Sequence, residues 1–359
     1  MRKVLVLLLI VSMQLGVSGF QSPPQKLSAG NQEAQTQVPE QSASDAIKEG
    51  IALYLGRKFK QALEKFEFAL RQDSKNDEAL GYAAVTAFRI GNQVKSRGYF
   101  LQRAELPGQK DTVKTFCYYR VALTYWREAH DLVAKSGDIS GERLVYKLSE
   151  RDAADVNRFI TNGLEYVDRA LAITKDFGPS YNVKNLLHSE AALVAKDEKN
   201  AKEHQNEATI ALRSALAGRN VANAGDAGDF NQPTVRIAEF AETAEADRKI
   251  DDPLLKMVAG GRPKKRVKAN FPTIRLNPTV AAPEGAVQEQ TAAAPDFIKV
   301  EVLVSPAGSV LFTRVIDGQQ GLNDAAILAA QGWKFEPATF EGKPVQLSSV
   351  ISFEIKQKK

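Results

Sequence analysis

Small and hydrophobic side chains recur at helical spacing from about residue 44 to residue 217. In the first unit they fall at Gly50, Ala62, Phe66 and Ala69. A shift of about 34 residues, a common length for a repeat of two helices, finds the equivalent residues Ala84, Ser96 and Phe100. Small residues allow two antiparallel helices to approach closely, and the aromatic ring fills the space between them. The pattern therefore predicts a solenoid of paired helices.

The rest of this region follows the same pattern less regularly. One long helix is predicted from about residue 112 to residue 134, and a polar break follows it. Residues 163–171 repeat the small and apolar positions of the first unit, and two more helices are predicted at 181–195 and 203–217. We interpret residues 44–217 as three degenerate repeats and one additional helical pair.

The period of the hydrophobic pattern changes to two in the last sixty residues or so. Apolar and polar residues alternate at 297–304, with Lys299 and Glu301 on the polar side, which predicts a half-buried strand. Further elements are predicted in the order strand, helix, strand, strand, at residues 310–316, 324–331, 333–337 and 345–355.

Residues 218–295, between these two regions, have the composition of a linker. Residues 220–229 are rich in Gly, Ala, Asn and Asp, which favours loop structure, and residues 280–295 have the composition of a flexible tether. One amphipathic helix is predicted at 234–250. We interpret the basic cluster around Arg262 as a solvated part of the linker, and the alternative is that it contacts an anionic surface such as lipid head groups.

The N-terminus has the pattern of a secretory signal peptide. Two basic residues precede an apolar stretch at 4–16, and small residues follow at 17–19, as a signal peptidase requires. We predict a signal peptide over residues 1–19, cleaved after Gly19. A disordered leader follows over residues 20–43, because its polar composition cannot bury enough apolar surface to fold. The alternative is that the apolar stretch is retained as a membrane anchor.

The last region also carries short phrases in a fixed order. These are Pro306-Ala307-Gly308, Val315-Ile316-Asp317-Gly318, Trp333-Lys334-Phe335-Glu336-Pro337, Gly342-Lys343-Pro344-Val345 and Ile351-Ser352-Phe353. With these phrases, residues 296–356 resemble the C-terminal domain of TonB and its relatives. The resemblance implies a small α+β domain with an antiparallel sheet and one helix. It also implies that the last strand accepts a peptide strand of a partner at the sheet edge, at residues Val345, Gln346, Leu347, Ser348, Ser349, Val350 and Ile351.

The helical region resembles a tetratricopeptide repeat (TPR) solenoid, which implies a groove that binds proteins or extended peptides. The positions that face a ligand in that family correspond to Tyr54, Glu78, Phe88 and Arg89. An aromatic ring and a guanidinium can hold an extended peptide by stacking and by pairing with a carboxylate. The alternative for Tyr54 and Phe88 is that they pack between helices.

Composition and motifs add few constraints. The formal charge of +5 is mild and does not predict nucleic-acid binding. The single cysteine, Cys117, excludes an intrachain disulfide, and its apolar neighbours favour a buried thiol. The histidines His130, His188 and His204 have no spacing typical of a metal site, and we find no phosphate-binding loop or nucleophile motif. We therefore predict no enzyme activity, no cofactor and no metal, and the alternative is a hydrolase or an enzyme accessory with an unrecognised site.

Together these features predict a multidomain protein with an all-α TPR-like solenoid and a small C-terminal α+β domain. The predicted function is an exported scaffold or adaptor of the cell envelope, periplasmic or secreted. The resemblance to TonB implies a bacterium with two membranes and a periplasmic location. The expected partners of the protein are proteins or extended peptides, including outer-membrane proteins, with peripheral membrane association as an option and no nucleic acid. The alternative is a TonB-type energy transducer for outer-membrane transport, anchored in the inner membrane and facing the periplasm.

Overall fold

The computed structural model describes residues 41–140, 143–218, 230–242, 244, 256–271 and 297–355, without the side chains of residues 138–145 and 238. The predicted signal peptide, most of the leader and the predicted tether at 280–295 lie outside the described residues. The described chain begins with helices that pack consecutively. They are α1 (Ala43–Leu55), α2 (Phe59–Gln72), α3 (Asp77–Arg89), α4 (Gln93–Ala104), α5 (Asp111–Ser136), α6 (Glu150–Ile173), α7 (Gly178–Leu193) and α8 (Glu198–Ala217).

The first two helical pairs form as their sequence predicts. The Ser42 hydroxyl accepts a hydrogen bond from the Asp45 N–H at 3.1 Å, which satisfies one of the N–H groups that the first turn of α1 leaves unpaired. Gly50 allows the closest approach of α1 and α2, because a Cβ built there would lie 2.6 Å from the Phe66 ring. The remaining positions that predicted the repeats are fully buried: Ala62, Ala69, Ala84, Ser96 and Phe100.

The middle of the helical region contains the longest helices. α5 and α6 pack along each other, and a hairpin of β1 (Gly137–Ser140) and β2 (Arg143–Tyr146) connects them. α7 is buried around much of its circumference: its apolar residues pack in the helical core, and Asn182, Asn185 and Glu190 are also fully buried. A helix that is buried on several sides must find partners for such polar groups.

The C-terminal region forms a four-stranded sheet in the order β3, β11, β6, β7. Its strands are β3 (Thr234–Ala241), β6 (Phe297–Val304), β7 (Val310–Asp317) and β11 (Gln346–Glu354). β11 pairs antiparallel with β6 and parallel with β3. Helix α9 (Asn323–Gln331) packs on this sheet. Two small sheets join β4 (Val258–Gly260), β9 (Ala338–Phe340) and β10 (Lys343–Pro344), and β5 (Pro263–Lys265) and β8 (Lys334–Phe335).

Part of the segment that we predicted as linker belongs to the folded core. β3 replaces the first half of the amphipathic helix predicted at 234–250, and residues 245–250 lie outside the described residues. A register shift between Ser348 and Val350 of β11 places Val235, Ile237 and Phe240 in one apolar core. The bulge interrupts strict alternation, and this is why the segment did not match the pattern of a strand.

The sheet is covered on both faces. One face packs on α9 and on Trp333, Phe335 and Phe353, which are buried in one core with Val300 and Ile351. The other face packs against α5 and α7: Leu303 belongs to the helical core. The described residues from 41 onward belong to one compact unit. The predicted fold class is confirmed, with helical pairs followed by a sheet with one helix, but the sheet lies directly on the solenoid.

Candidate interaction cleft

A cleft of about 830 Å³ separates the first helical pair, α1 and α2, from the edge of the sheet. This volume lies within the usual range of about 300–1,000 Å³ for ligand sites. The helices contribute one wall, and β7 and α9 contribute the other. The cleft is lined by Tyr54, Leu55, Arg57, Phe59, Arg89, Val310, Leu311, Phe312, Thr313, Arg314, Ile327 and Gln331.

The turn between α1 and α2 shapes the helical wall of the cleft. Arg57 has a φ of 59°, a left-handed conformation that residues other than glycine adopt at a cost. This reversal leaves Leu55 75% exposed beside the cleft. Tyr54 is half-buried, and its ring lies edge-on to those of Phe59 at 5.3 Å and Tyr82 at 6.3 Å. The wall therefore combines aromatic and aliphatic surface with a guanidinium.

The opposite wall is an edge strand. Within the described residues, β7 pairs only with β6, and a bulge leaves Leu311 without a partner residue on β6. Five consecutive residues, 310–314, line the cleft. Successive side chains of a strand point to opposite faces of the sheet, so an unbroken run can border one cavity only if the cavity follows the edge of the strand. The cleft therefore runs along the edge at which β7 has no neighbouring strand in the described part of the chain.

Of the four residues predicted to face a ligand in the solenoid, two line the cleft and two do not. Tyr54 and Arg89 line the cleft. Phe88 is only 8% exposed and packs in the helical core, with the Arg120 guanidinium 4.8 Å from its ring centre, so it packs between helices as the alternative proposed. Glu78 is exposed in the first turn of α3 and is not among the residues that line the cleft. Ligand binding by any of them stays a prediction.

The prediction that the last strand forms an exposed edge is wrong. β11 pairs with β6 on one side and with β3 on the other, so both of its edges are occupied. All seven residues assigned to partner binding in this strand are buried: Val345, Gln346, Leu347, Ser348, Ser349, Val350 and Ile351. Binding of a partner strand there would require that β3 be displaced.

Arg314 connects the cleft to a buried charge cluster between the helices and the sheet. The cluster consists of Arg127, His130 and Asp131 of α5, Glu190 of α7, Arg236 of β3, Glu301 of β6 and Arg314 of β7. Glu301 accepts hydrogen bonds from Arg127 and, at 3.0 Å, from Arg314 Nε.

The His130 imidazole lies between the two carboxylates of this cluster. Its Nδ1 is 2.6 Å from Glu190 Oε1, and its Nε2 is 3.6 Å from Glu301 Oε1. The second oxygen of Glu190 accepts from Arg236. The cluster therefore links two helices to three strands.

Burial and neighbouring charges act in opposite directions on the carboxylates of the cluster. Burial raises the pKa of Glu301, but Arg127 and Arg314 outweigh this effect and hold the pKa at about 2. Burial likewise raises the pKa of Glu190, and Arg236 and His130 outweigh it and lower the pKa. Both carboxylates are therefore ionised at neutral pH. Because both carboxylates are fully buried, they join elements of the fold and are not exposed to a substrate.

Two groups outside the cluster, the His188 imidazole and the Cys117 thiol, have pKa values that burial shifts. His188 and His204 come from α7 and α8, and their Nδ1 atoms are 3.1 Å apart, a contact that their spacing in the sequence did not predict. Burial lowers the pKa of His188 to about 4, and the His204 imidazole adds to the effect. Within the described residues, no group of three or more His, Cys, Asp and Glu side chains could hold a metal ion. Burial raises the pKa of the Cys117 thiol to about 12, so this thiol is inert at neutral pH.

The buried charge cluster was not predicted from the sequence, in which Glu301 was assigned to the polar side of a half-buried strand. One signal was available in α5, where Arg120, Arg127 and His130 are buried together with apolar residues on several sides of the helix. A helix with charged residues among apolar ones on several sides requires buried partners for them.

Comparison with known families identifies the C-terminal region. Residues 296–355 match the family described as Gram-negative bacterial TonB protein C-terminal, a family of non-catalytic interaction modules, and the predicted resemblance is confirmed. Comparison with curated proteins gave no match. No helix in the described part of the chain is both long and apolar enough to cross a membrane.

The solved structures similar to this chain include two that are described as TPR proteins. A thermophilic TPR protein of Thermus thermophilus has a TM-score of 0.34 at 17% identity, over 50% of this chain and 75% of that chain. A double mutant of MamA has a TM-score of 0.31 at 14% identity, over 48% and 76%. YrrB, described as a TPR protein with an unusual peptide-binding site, has a TM-score of 0.28 at 14% identity, over 49% and 86%.

Proposed function

We propose that this protein is a non-catalytic adaptor of the bacterial cell envelope that holds a partner protein in the cleft. One observation carries the proposal: Tyr54 and Arg89 of the helical repeats lie across the cleft from the edge of β7 that no described strand occupies. Helical grooves and sheet edges are both surfaces on which proteins bind segments of other proteins. In this molecule they form the two walls of one cleft.

A single site replaces the two separate sites that the sequence suggested. The sheet lies on α5 and α7 through the buried charge cluster, so it cannot move far from the solenoid without exposing buried charges. The adaptor therefore offers its partner a composite surface with fixed geometry. A preformed surface of this kind reduces the ordering cost of binding.

The test uses a photoreactive amino acid at position 55 of the full chain, expressed in its native cells. We expect ultraviolet light to produce a defined adduct with another protein, because Leu55 is exposed at the cleft. The matched control is position 210 on α8, where Ile210 is 54% exposed and is not part of the cleft lining. Equal adducts at both positions, or none at position 55, would contradict the proposal.

We propose a periplasmic location, based on the signal-peptide pattern of residues 1–19 and on the periplasmic orientation of the matched domain family. Fractionation and N-terminal sequencing of the mature protein test this. A soluble periplasmic protein that begins near Phe20 supports an exported adaptor. A membrane-bound protein that begins at Met1 would instead favour the inner-membrane energy transducer.

A further inference from the structure

We infer that the protein docks on membrane surfaces that carry anionic phospholipids, through a cationic patch formed by Arg262, Lys264, Lys265 and Lys334. The patch lies on the small sheet of β5 and β8. None of its residues is among those that line the cleft, so this inference goes beyond the proposed function and does not depend on it. Three observations carry it: the fixed position of the basic segment, the opposition of like charges across the two strands, and the lack of acidic partners within the described residues.

The basic segment is fixed to the C-terminal region, although its composition predicts a linker. The Glu336 N–H donates to the Arg262 carbonyl at 2.8 Å, and the Trp333 Nε1–H donates to the Val267 carbonyl at 2.9 Å. The Arg266 guanidinium lies 5.3 Å from the centre of the Trp333 ring. The segment is therefore part of the folded surface, and the fold sets the positions of its charges.

Like charges face each other across the two strands of the patch. In the antiparallel pairing of β5 and β8, Lys265 lies opposite Lys334. Phe335 is buried, so its neighbour Lys334 points away from the core, and Lys265 points to the same side. Two like charges at directly opposite positions of a sheet destabilise it. The fold therefore contains a repulsive pair that a bound anionic surface would relieve.

The described acidic side chains do not neutralise the patch. All four cations are exposed, and no ion pair joins any of them to a described Asp or Glu. Lys334 Nζ lies 3.5 Å from the Ser309 hydroxyl, which is uncharged. By contrast, Lys202 of α8 pairs with Glu198 at 2.7 Å. Exposed cations without counter-charges create a positive potential at the surface, which attracts anions.

The residue types of the patch favour a charged surface over a single small anion. Three of its four cations are lysines, which act as point charges on flexible stems, whereas arginine binds one carboxylate or phosphate through two parallel hydrogen bonds. A layer of lipid head groups presents many charges and requires no fixed fork, and each added cation strengthens the attraction. Trp333 and Phe335 beside the patch are buried, so they offer no ring for the stacking of nucleic-acid bases. The patch therefore favours an anionic membrane as its partner.

The test is flotation of the full chain with lipid vesicles. We expect the protein to bind vesicles of phosphatidylglycerol and phosphatidylcholine and not to bind phosphatidylcholine alone. Salt at about 1 M should release it, because the screening length then falls to about 3 Å, whereas inorganic phosphate at the concentration of the lipid phosphate should not. Equal binding to both kinds of vesicle, binding to neither, or release by phosphate would overturn the inference.

Two matched variants assign the binding to the patch. The first variant removes its three lysine charges, by Lys264→Gln, Lys265→Gln and Lys334→Gln. It should bind the anionic vesicles at least about tenfold more weakly, because each lost cation removes part of the attraction. The control removes three charges from exposed lysines of the helical region, by Lys60→Gln, Lys75→Gln and Lys110→Gln, and should bind as the wild type does. Equal losses in the two variants would show that net charge alone drives binding, and would refute the patch.

A second measurement separates docking from a structural role of the lysines. If Lys334 only stabilised the fold, Lys334→Gln would lower the urea concentration at the unfolding midpoint. The repulsive pair predicts instead that the midpoint stays the same or rises, and a lower midpoint would contradict it.

Competition identifies the class of partner. Tighter binding of the wild type to a single-stranded oligonucleotide or to polyglutamate than to the anionic vesicles would overturn the membrane as the partner. Either result leaves the adduct at position 55, and with it the adaptor, unaffected.

Discussion

At the scale of single residues, Glu301 illustrates how tertiary packing changes the role of a charged side chain. The alternating pattern of β6 assigned it to the solvent side of a half-buried strand. In the structure it is fully buried, and Arg127 and Arg314 both donate to it. The expected solvent side of β6 is in fact the side that faces the helices.

We predict that Glu301→Gln destabilises the protein by about 3–5 kcal/mol, because it leaves the buried Arg127 guanidinium without its counter-charge and removes one of the two carboxylates that pair with Arg314. The free energy of unfolding from urea titration at pH 7 measures the effect. Glu341→Gln is the control, since Glu341 pairs with Arg213 at an exposed position, and it should not change the unfolding midpoint measurably. Similar losses of stability in both variants would show that the buried ion pairs of Glu301 contribute no more to stability than an exposed pair.

The same carboxylate should contribute to acid unfolding. Its pKa in the folded protein, about 2, lies below the ordinary value of 4.5, so the unfolded state binds the proton more readily. The stabilisation is therefore complete above about pH 4.5 and is lost as the pH falls toward 2. We expect urea titrations at several pH values to show this slope in the wild type and a flatter one in Glu301→Gln. An unchanged slope would contradict the assignment.

His188 should act in a separate pH window. Burial lowers its pKa from 6.5 to about 4, so the unfolded state again binds the proton more readily. The stability of the folded protein should therefore fall as the pH decreases from 6.5 to 4. The facing groups are His204, Asp168 and Lys184. We predict that His188→Gln flattens the pH dependence of unfolding between pH 6.5 and 4, whereas Glu301→Gln preserves it there. Equal slopes in wild type and His188→Gln would refute this.

At the scale of elements, the helical pairs depend on small residues at their crossing points. A Cβ added to Gly50 would lie 2.6 Å from the Phe66 ring, whereas one added to Gly98 of α4 would meet nothing within 4 Å. Both glycines lie inside helices, but only Gly50 is required for close packing of two helices.

We predict opposite effects for the two substitutions to alanine. Gly50→Ala should destabilise the protein by about 1–3 kcal/mol through overpacking, and Gly98→Ala should stabilise it by about 0.5–1 kcal/mol through higher helix propensity. Thermal and urea unfolding of both variants measure the difference. Stabilisation by Gly50→Ala would mean that α1 and α2 separate more readily than their packing indicates.

At the scale of the whole molecule, the matched TonB-like region does not contain the whole sheet. The match begins at residue 296, whereas β3 comes from residues 234–241 and the cover of the second face comes from α5 and α7. The solenoid and the sheet therefore share one interface with buried charges, and the cleft exists only when both are present.

We predict that a fragment of residues 296–359 is less protected than the same residues in the full chain. Without β3 and the helices, the backbone groups of β11 lose a partner strand, so its amides should exchange at least about tenfold faster. A fragment of residues 230–359 restores β3 and should recover part of the protection. Hydrogen exchange followed by mass spectrometry compares the three. Full protection of β11 in the shorter fragment would refute the role of β3.

The sequence by itself determined the local elements and the family of the last region. Helix positions such as Gly50 and Phe66, and the strand phrases around Trp333, follow from periodicity and turn chemistry among residues that are close in the chain. Tyr54 and Arg89 were also predicted as binding positions by resemblance, and the structure places both at the cleft.

Only the tertiary structure decided which strands lie inside the sheet and which charges are buried. Thr234 contacts Gln346 across 112 residues of sequence, and Arg127 contacts Glu301 across 174. Local periodicity carries no information on such pairs, because the partner of a strand or a charge is chosen by the packing of distant elements. The pairing of β11 with β3 occupies the edge of the last strand, and the second face of the sheet is buried against α5 and α7.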